Sequence, residues 1–174
     1  MKKTIPRIVL GVVLICLLFI GFLFINNDIG LATADLEADI RASQKIADGW
    51  VVDGNISDTM AAFISYPQDK TDHSFSVYVN RPGLSFGYFF RGGGDIVEVE
   101  NYIAEYTVEG YSERAFISLN AQKVERLKID NGNGVQVIEI DPQKPFAIVL
   151  PVNAGEITFY DEHENVVEYH QRAL

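Results

Sequence analysis

Hydrophobic and polar residues follow two different patterns before and after residue 26. Residues 8–25 form one apolar run of 18 residues without a charge, an amide or a proline. As a helix this run would be about 27 Å long, close to the ~30 Å apolar core of a bilayer. The three basic residues before it are Lys2, Lys3 and Arg7. The positive-inside rule therefore predicts a cytoplasmic tail at 1–7, a signal-anchor helix at 8–25 and a C-terminal part outside the cell membrane.

A cleaved signal peptide is the alternative interpretation of the apolar run. The tripeptide Ala32-Thr33-Ala34 has the small-x-small pattern of a cleavage site, and cleavage there would release a secreted domain that begins at Asp35. The run is longer than the ~7–15 residues of a typical signal-peptide core. The site also lies nine residues after Ile25. Both observations favour a retained anchor.

Residues 26–48 predict a linker followed by a juxtamembrane helix. Positions 35–48 are rich in alanine and carry acidic residues in the first turn, as the helix dipole prefers. Leu36 and Ile40 share one face, but that face does not continue, and Gly49 is a candidate C-cap. We therefore expect a short helical stalk that lifts the domain off the membrane, with a partner-binding helix as the alternative.

From residue 49 onward, short runs of Val, Ile, Phe and Tyr are broken by Gly, Pro, Asn and Asp, which predicts strands and turns. The pattern predicts a mainly β, antiparallel β-sandwich at 49–174, Greek-key or jelly-roll-like. The predicted strands are 50–53, 59–66, 74–80, 84–91, 96–100, 103–108, 114–119, 124–130, 135–141, 146–150, 156–160 and 166–169. Residues 96–108 could also form a helix. Residues 131–134 predict a hairpin, and 80–83 a wider loop or a crossover between sheets.

The net charge of the chain limits its possible partners, and its cysteine content limits the ways in which the domain can be stabilised. After residue 25 the chain has 11 basic and 24 acidic residues, a net charge of −13. Such a surface repels polyanions, so nucleic acid is not an expected partner. The only cysteine, Cys16, lies in the apolar run, so the exported domain must fold without a disulfide, as is common in bacteria.

One motif resembles a catalytic serine, but its context disfavours catalysis. Residues 83–87 match G-x-S-x-G, and Ser85, Asp95 and His163 follow the order of a hydrolase triad. That motif requires a strand, a turn and then a helix, whereas the residues after Ser85 have a strand pattern. The sequence therefore predicts no catalytic residue, with a serine hydrolase as an unfavoured alternative.

Metal and cofactor signals are equally incomplete. Asp161, His163 and Asn165 alternate along the chain, but the glycine and the closing glutamate of a calcium loop are missing. Residues 130–134 lack the same features. We expect no metal ion and no cofactor.

Aromatic and arginine residues concentrate between residues 75 and 94. Leu84, Phe86, Tyr88 and Phe90 alternate with Ser85, Gly87, Phe89 and Arg91, which favours a central core strand. The alternative is an exposed patch on a strand followed by a glycine loop. The residues of this candidate contact patch are Arg81, Phe89, Arg91, Gly92, Gly93 and Gly94.

These patterns predict a membrane-tethered, non-enzymatic binding or accessory module. Its expected partners are membrane lipid, through the anchor, and another membrane or envelope protein. A carbohydrate- or small-ligand-binding sandwich is the alternative. The carbohydrate reading requires a flat exposed face, for which the candidates are Trp50, Tyr102, Tyr106 and Tyr111.

Overall fold

The computed structural model describes residues 7–81, 83, 85–95 and 97–174. Its helices are α1 (Arg7–Ile25), α2 (Leu36–Ser43) and α3 (Val97–Asn101), with one 3-10 turn at Thr33–Asp35. Its strands are β1 (Val51–Ile56), β2 (Met60–Tyr66), β3 (Ser74–Asn80), β4 (Tyr88–Gly94), β5 (Ile103–Thr107), β6 (Glu113–Ser118), β7 (Val124–Asp130), β8 (Val135–Glu139), β9 (Phe146–Pro151), β10 (Glu156–Asp161), β11 (Val166–Val167) and β12 (Tyr169–Ala173).

The fold is mainly β, and its sheets are largely antiparallel. The described strands form three four-stranded sheets: a first sheet in the order β1-β2-β3-β4, a central sheet in the order β12-β5-β6-β9, and an outer sheet in the order β11-β10-β7-β8. The first sheet is a simple meander. Strand β12 pairs in parallel with β5, and the other pairs are antiparallel.

The central sheet is buried on both faces, which the prediction of a two-layer sandwich did not include. Ala115 and Ile117 of β6 pack toward the first sheet, whereas Phe116 between them packs toward the outer sheet. Ala147 and Phe146 of β9 divide in the same way. Since neighbouring side chains of a strand point to opposite faces, one apolar strand contributes to two cores.

Helix α2 packs against the first sheet instead of standing clear of it as a stalk. Leu36 and Ile40 are fully buried against the sheet face that contains Phe63 and Tyr78. The helix is also shorter than predicted. Lys45 adopts φ +56° and Ile46 N–H donates to the Arg41 carbonyl at 3.0 Å, which is a Schellman ending. The helix therefore ends before Gly49 is reached.

The α1 helix has an apolar and mostly solvent-exposed surface. Its exposed side chains include those of Leu10, Leu17 and Phe24, whereas Leu23 in the last turn is buried. Across the described residues, no helix combines the length and the apolar content that crossing a membrane requires.

Several predicted strands differ from the observed ones only in their end residues, and three differ in type, position or sheet. Residues 97–101 form α3 instead of a strand, the alternative that the pattern had left open. The strand predicted at 84–91 is displaced to Tyr88–Gly94, so the glycine triplet lies inside a strand. The strand predicted at 166–169 is divided between β11 and β12, which belong to two different sheets.

The predicted turns are largely confirmed. Residues 131–134 connect β7 and β8 as a hairpin loop, in which Gly132 has φ +79° and Asp130 Oδ1 accepts its N–H at 2.8 Å. The connection after Asn80 is a wide loop to β4 within the same sheet and not a crossover between sheets. Its residues Pro82 and Leu84 lie outside the described residues.

Candidate functional site at the β4 edge

Strand β4 is the last strand of the first sheet, and its beginning is covered by the segment that leaves α1. We call residues 28–31 the strap. Phe86 N–H donates to the Asp28 carbonyl at 2.8 Å, and Gly30 N–H donates to the Phe86 carbonyl at 2.6 Å. Leu31 and Tyr88 exchange two further backbone hydrogen bonds at 2.9 and 2.8 Å. The strap therefore acts as a short extra strand that ends where β4 begins.

Two glycines allow the strap to lie this close to the loop before β4. A Cβ atom on Gly30 would lie 2.6 Å from the Tyr88 carbonyl oxygen, and one on Gly87 would lie 2.6 Å from the Leu31 carbonyl oxygen. Gly87 also has φ +85°, which side chains of L-residues rarely tolerate. The residues 26–34 predicted as a free linker are therefore partly fixed to the domain.

The predicted glycine loop is the second half of β4. Val77 pairs with Gly92 and Tyr78 with Phe90, so Arg91 is the additional residue of a β-bulge. A Cβ atom on Gly93 would lie 2.6 Å from the Phe75 carbonyl oxygen, whereas one on Gly92 would meet the Leu174 side chain. Gly94 has φ +129°. Position 93 requires glycine because the strands pack closely there, and position 94 favours glycine because of its backbone conformation.

Arg81 and Phe89 come together as the candidate patch required. The Arg81 guanidinium lies 3.9 Å from the centre of the Phe89 ring, and its Nη1 donates to the Asn27 carbonyl at 3.3 Å. This arrangement holds the loop after β3 against the end of α1. Arg91 is exposed on the bulge of β4.

The most exposed aromatic side chains of this region were not among the predicted contact residues. Phe86 and Phe90 retain 57% and 46% of their accessible surface. Tyr88, between them on the same predicted face, is buried against α2 and the sheet. The alternation did place the three on one face, but only the position of β4 at the sheet edge exposes two of them. The prediction of a central core strand is therefore wrong.

A cavity of about 360 Å³, which presents both polar and apolar surface, adjoins this edge. Its described lining residues are Thr59, Asn80, Arg81, Gly83, Ser85, Gly110, Tyr111 and Ser112. The Glu113 carboxylate accepts hydrogen bonds from the hydroxyls of Ser57 and Thr59 beside it. The cavity therefore offers hydroxyls and one guanidinium, the groups that bind a small polar ligand.

The geometry around Ser85 does not assemble the suspected triad. Its Oγ donates to the Arg81 carbonyl at 2.7 Å, and the chain continues into strand β4 instead of a helix. No histidine or acid is among the described residues that line the adjoining cavity. His163 lies in the turn between β10 and β11, in the outer sheet.

The flat aromatic face that the carbohydrate alternative would require does not form. Tyr106 is buried in the core between the first and central sheets, where its ring stacks on Phe75 at 4.6 Å. Burial raises the pKa of the Tyr106 hydroxyl above its usual value. Trp50 packs near α2, whereas Tyr102 stacks on His170 at 4.5 Å. These rings therefore do not share one flat surface.

Asp161, His163 and Asn165 form a turn. Asp161 Oδ1 accepts the N–H groups of His163 and Asn165 at 2.9 and 2.8 Å. The Asn165 amide donates to Oδ2 at 3.0 Å, and these hydrogen bonds hold the pKa of Asp161 below its usual value. Turn chemistry thus explains the alternating spacing. Within the described ranges, no group of three potential metal-binding side chains is found.

Comparisons with protein families, curated proteins and solved structures find no match for this chain.

Proposed function

We propose that the chain is a membrane-tethered, extracytoplasmic binding module that contacts another envelope protein through the outer edge of β4. The observation that carries this proposal is the abrupt end of the strap at Leu31. Past Tyr88, β4 has a described neighbouring strand on one side only. An extended peptide could continue the strap along Phe90–Gly94 by adding a strand to the sheet.

No helix among the described residues meets the length and apolar content for crossing a membrane, so the proposed tether is supported only by the apolar run at 8–25 and the exposed apolar surface of α1. An exposed apolar surface of this size is costly in water, and lipid would cover it. The basic residues before the run and the polar residues after it favour a cytoplasmic N-terminus and an external domain. N-terminal sequencing of the mature protein tests this step: Met1 agrees with the tether, whereas Asp35 would mean a secreted domain.

The β4 edge is a better contact surface than the edge of the central sheet. At β9, the Asn55 side chain accepts the Val149 N–H at 3.1 Å, so a side chain already occupies that edge. At β4, by contrast, the exposed ring of Phe90 and the exposed Arg91 lie on a strand that has a described partner strand on one side only. Aromatic and arginine side chains are common anchors of protein interfaces. The net acidity of the domain disfavours nucleic acid as the partner.

Site-specific photocrosslinking in native membranes tests the contact. A photoreactive residue is placed at Phe90 and, as the matched control, at Val137, which is similarly exposed on the edge strand β8 of the outer sheet. We expect a discrete crosslinked protein from position 90 and none from position 137. Equal crosslinking from both positions, or none from position 90 at native expression, contradicts the proposal.

The cavity beside the edge supports a second candidate function, the binding of a small polar ligand. Its volume of about 360 Å³ is near the lower end of known ligand pockets. Ser112→Phe would fill this cavity from an exposed position, and Val137→Phe is the matched control. A thermal shift with neutral sugars or small carboxylates that Ser112→Phe abolishes would support this function. A shift that survives in Ser112→Phe would exclude this cavity.

A further inference from the structure

Two backbone hydrogen bonds connect Phe86, whose ring is exposed, to the last turn of α1. Asp28 N–H donates to the Leu23 carbonyl at 2.9 Å, and the Asp28 carbonyl accepts the Phe86 N–H at 2.8 Å. The Phe86 backbone therefore lies within about 10 Å of the last helical turn, given ordinary residue dimensions. The position of the loop relative to the end of the helix is thus fixed by the backbone.

The end of α1 and this loop share an exposed apolar surface. Phe24 and Ile25 retain 74% and 81% of their accessible surface, and Ile29 and Phe86 retain 47% and 57%. Ile29 and Phe86 are also directly bridged to each other. Between the two pairs lie Asn26 and Asn27, so the apolar surface is interrupted by polar groups where the helix ends.

We infer that Ile29 and Phe86 form a membrane-contacting lip, which inserts at the boundary between lipid headgroups and acyl chains beside the end of α1. This inference rests on the proposed tether. The occupant is lipid, because two backbone hydrogen bonds hold this surface within about 10 Å of the end of the proposed membrane helix, a distance comparable to the roughly 5–8 Å thickness of the headgroup region. Amphipathic segments at such boundaries bury apolar side chains about 5–10 Å deep.

The contact is apolar in character and not electrostatic. The exported part carries a net charge of −13, which repels anionic headgroups. The nearby cation Arg81 is already engaged with the Phe89 ring and the Asn27 carbonyl. Insertion of the lip should therefore be at least as strong in neutral phosphatidylcholine as in anionic vesicles.

Tryptophan quenching by brominated lipid tests the lip. The full chain carries Trp50→Phe, to remove the only native tryptophan, and then Phe86→Trp, Ile29→Trp or the control Val137→Trp. In phosphatidylcholine vesicles brominated near the top of the acyl chain, we expect about threefold stronger quenching at positions 86 and 29 than at 137, as shallow burial predicts.

Vesicle flotation of the same samples separates the two levels of the proposal. If the chain floats with the vesicles but positions 86 and 29 are quenched no more than 137, the lip is contradicted and the tether stands. If the chain does not float, the tether fails and the lip with it. The Ile29→Trp variant covers the case in which Phe86→Trp disturbs the glycine-dependent packing of its loop.

Discussion

The central sheet and strand β4 use similar residues in opposite ways. Phe116 of β6 is fully buried and packs edge-on against Phe159 and Tyr169 at 5.2 and 5.3 Å. Phe90 of β4 packs edge-on against Tyr78 at a similar 5.5 Å, yet almost half of its surface is exposed. The difference arises from position, because β6 lies inside a sheet covered on both faces and β4 lies at an edge.

The polar groups of the two regions show the same contrast. In the central sheet, Glu105 is buried and paired with Arg114 at 2.7 Å, and its second carboxylate oxygen finds no hydrogen-bond partner within the part of the chain that the structure describes. On β4, Arg91 is exposed on a bulge. Buried pairs of this kind serve the structure of a domain, whereas exposed arginines at a sheet edge are available to a partner.

The largest difference in stability is expected between alanine variants of Phe116 and Phe90. Phe116→Ala leaves a cavity between two sheets and should lower the free energy of unfolding by about 3–5 kcal/mol. Phe90→Ala should cost only about 1 kcal/mol, because the ring is half exposed and loses one aromatic contact. Urea denaturation of both variants measures the two values. Equal losses would show that β4 belongs to the core.

Alanine substitution at two adjacent glycines of β4 should give a smaller difference in stability. In Gly93→Ala the new Cβ meets the Phe75 carbonyl oxygen at 2.6 Å, and this backbone atom cannot move without shifting β3. We expect a loss of about 1–3 kcal/mol. In Gly92→Ala the new Cβ meets the end of the flexible Leu174 side chain, which can move. The free energy of unfolding should therefore fall by less than about 1 kcal/mol. Thermal melting ranks the two variants, and the reverse order would exclude the packing described for β4.

Removal of one buried hydroxyl should stabilise the core by a small amount. The Tyr106 hydroxyl has no hydrogen-bond partner among the described residues, so Tyr106→Phe should raise the free energy of unfolding by up to about 1 kcal/mol. Because burial raises the Tyr106 pKa in the folded state, the unfolded chain loses this proton first, and the stability of the unsubstituted protein falls as the pH rises above the unfolded pKa of about 10. Unfolding of both proteins between pH 8 and 11, approximately, checks this, since Tyr106→Phe should lose less stability at the alkaline end. If both proteins lose the same stability at alkaline pH, ionisation of Tyr106 does not contribute to that loss.

The strands that sequence predicted best are those whose pattern is local. Strands β3 and β7 have the predicted bounds, because alternation and flanking turn residues define them without reference to neighbours. The hairpin at 131–134 was predictable for the same reason, since Gly132 supplies the positive φ that the turn requires.

The edge position of β4 could not be read from its own residues. Its apolar residues on both faces are typical of a central strand, and only the pairing order of the whole sheet leaves Phe90 exposed. The strap could not be predicted either, because residues 28–31 carry no strand pattern, and their approach to the start of β4 depends on the missing side chains of Gly30 and Gly87. A third sheet over the central one follows from long-range packing, which periodicity alone does not encode.

Hydrogen exchange of the full chain in native membranes and in detergent tests whether a partner covers the outer edge of β4. The amides of β5, β6 and β9 should be protected equally in both, because the two flanking sheets cover them. If a partner strand adds to β4 in native membranes, we expect the amides at 90–94 to be protected there and to exchange quickly in detergent. Protection that appears only at β8, or no change at 90–94, would contradict it.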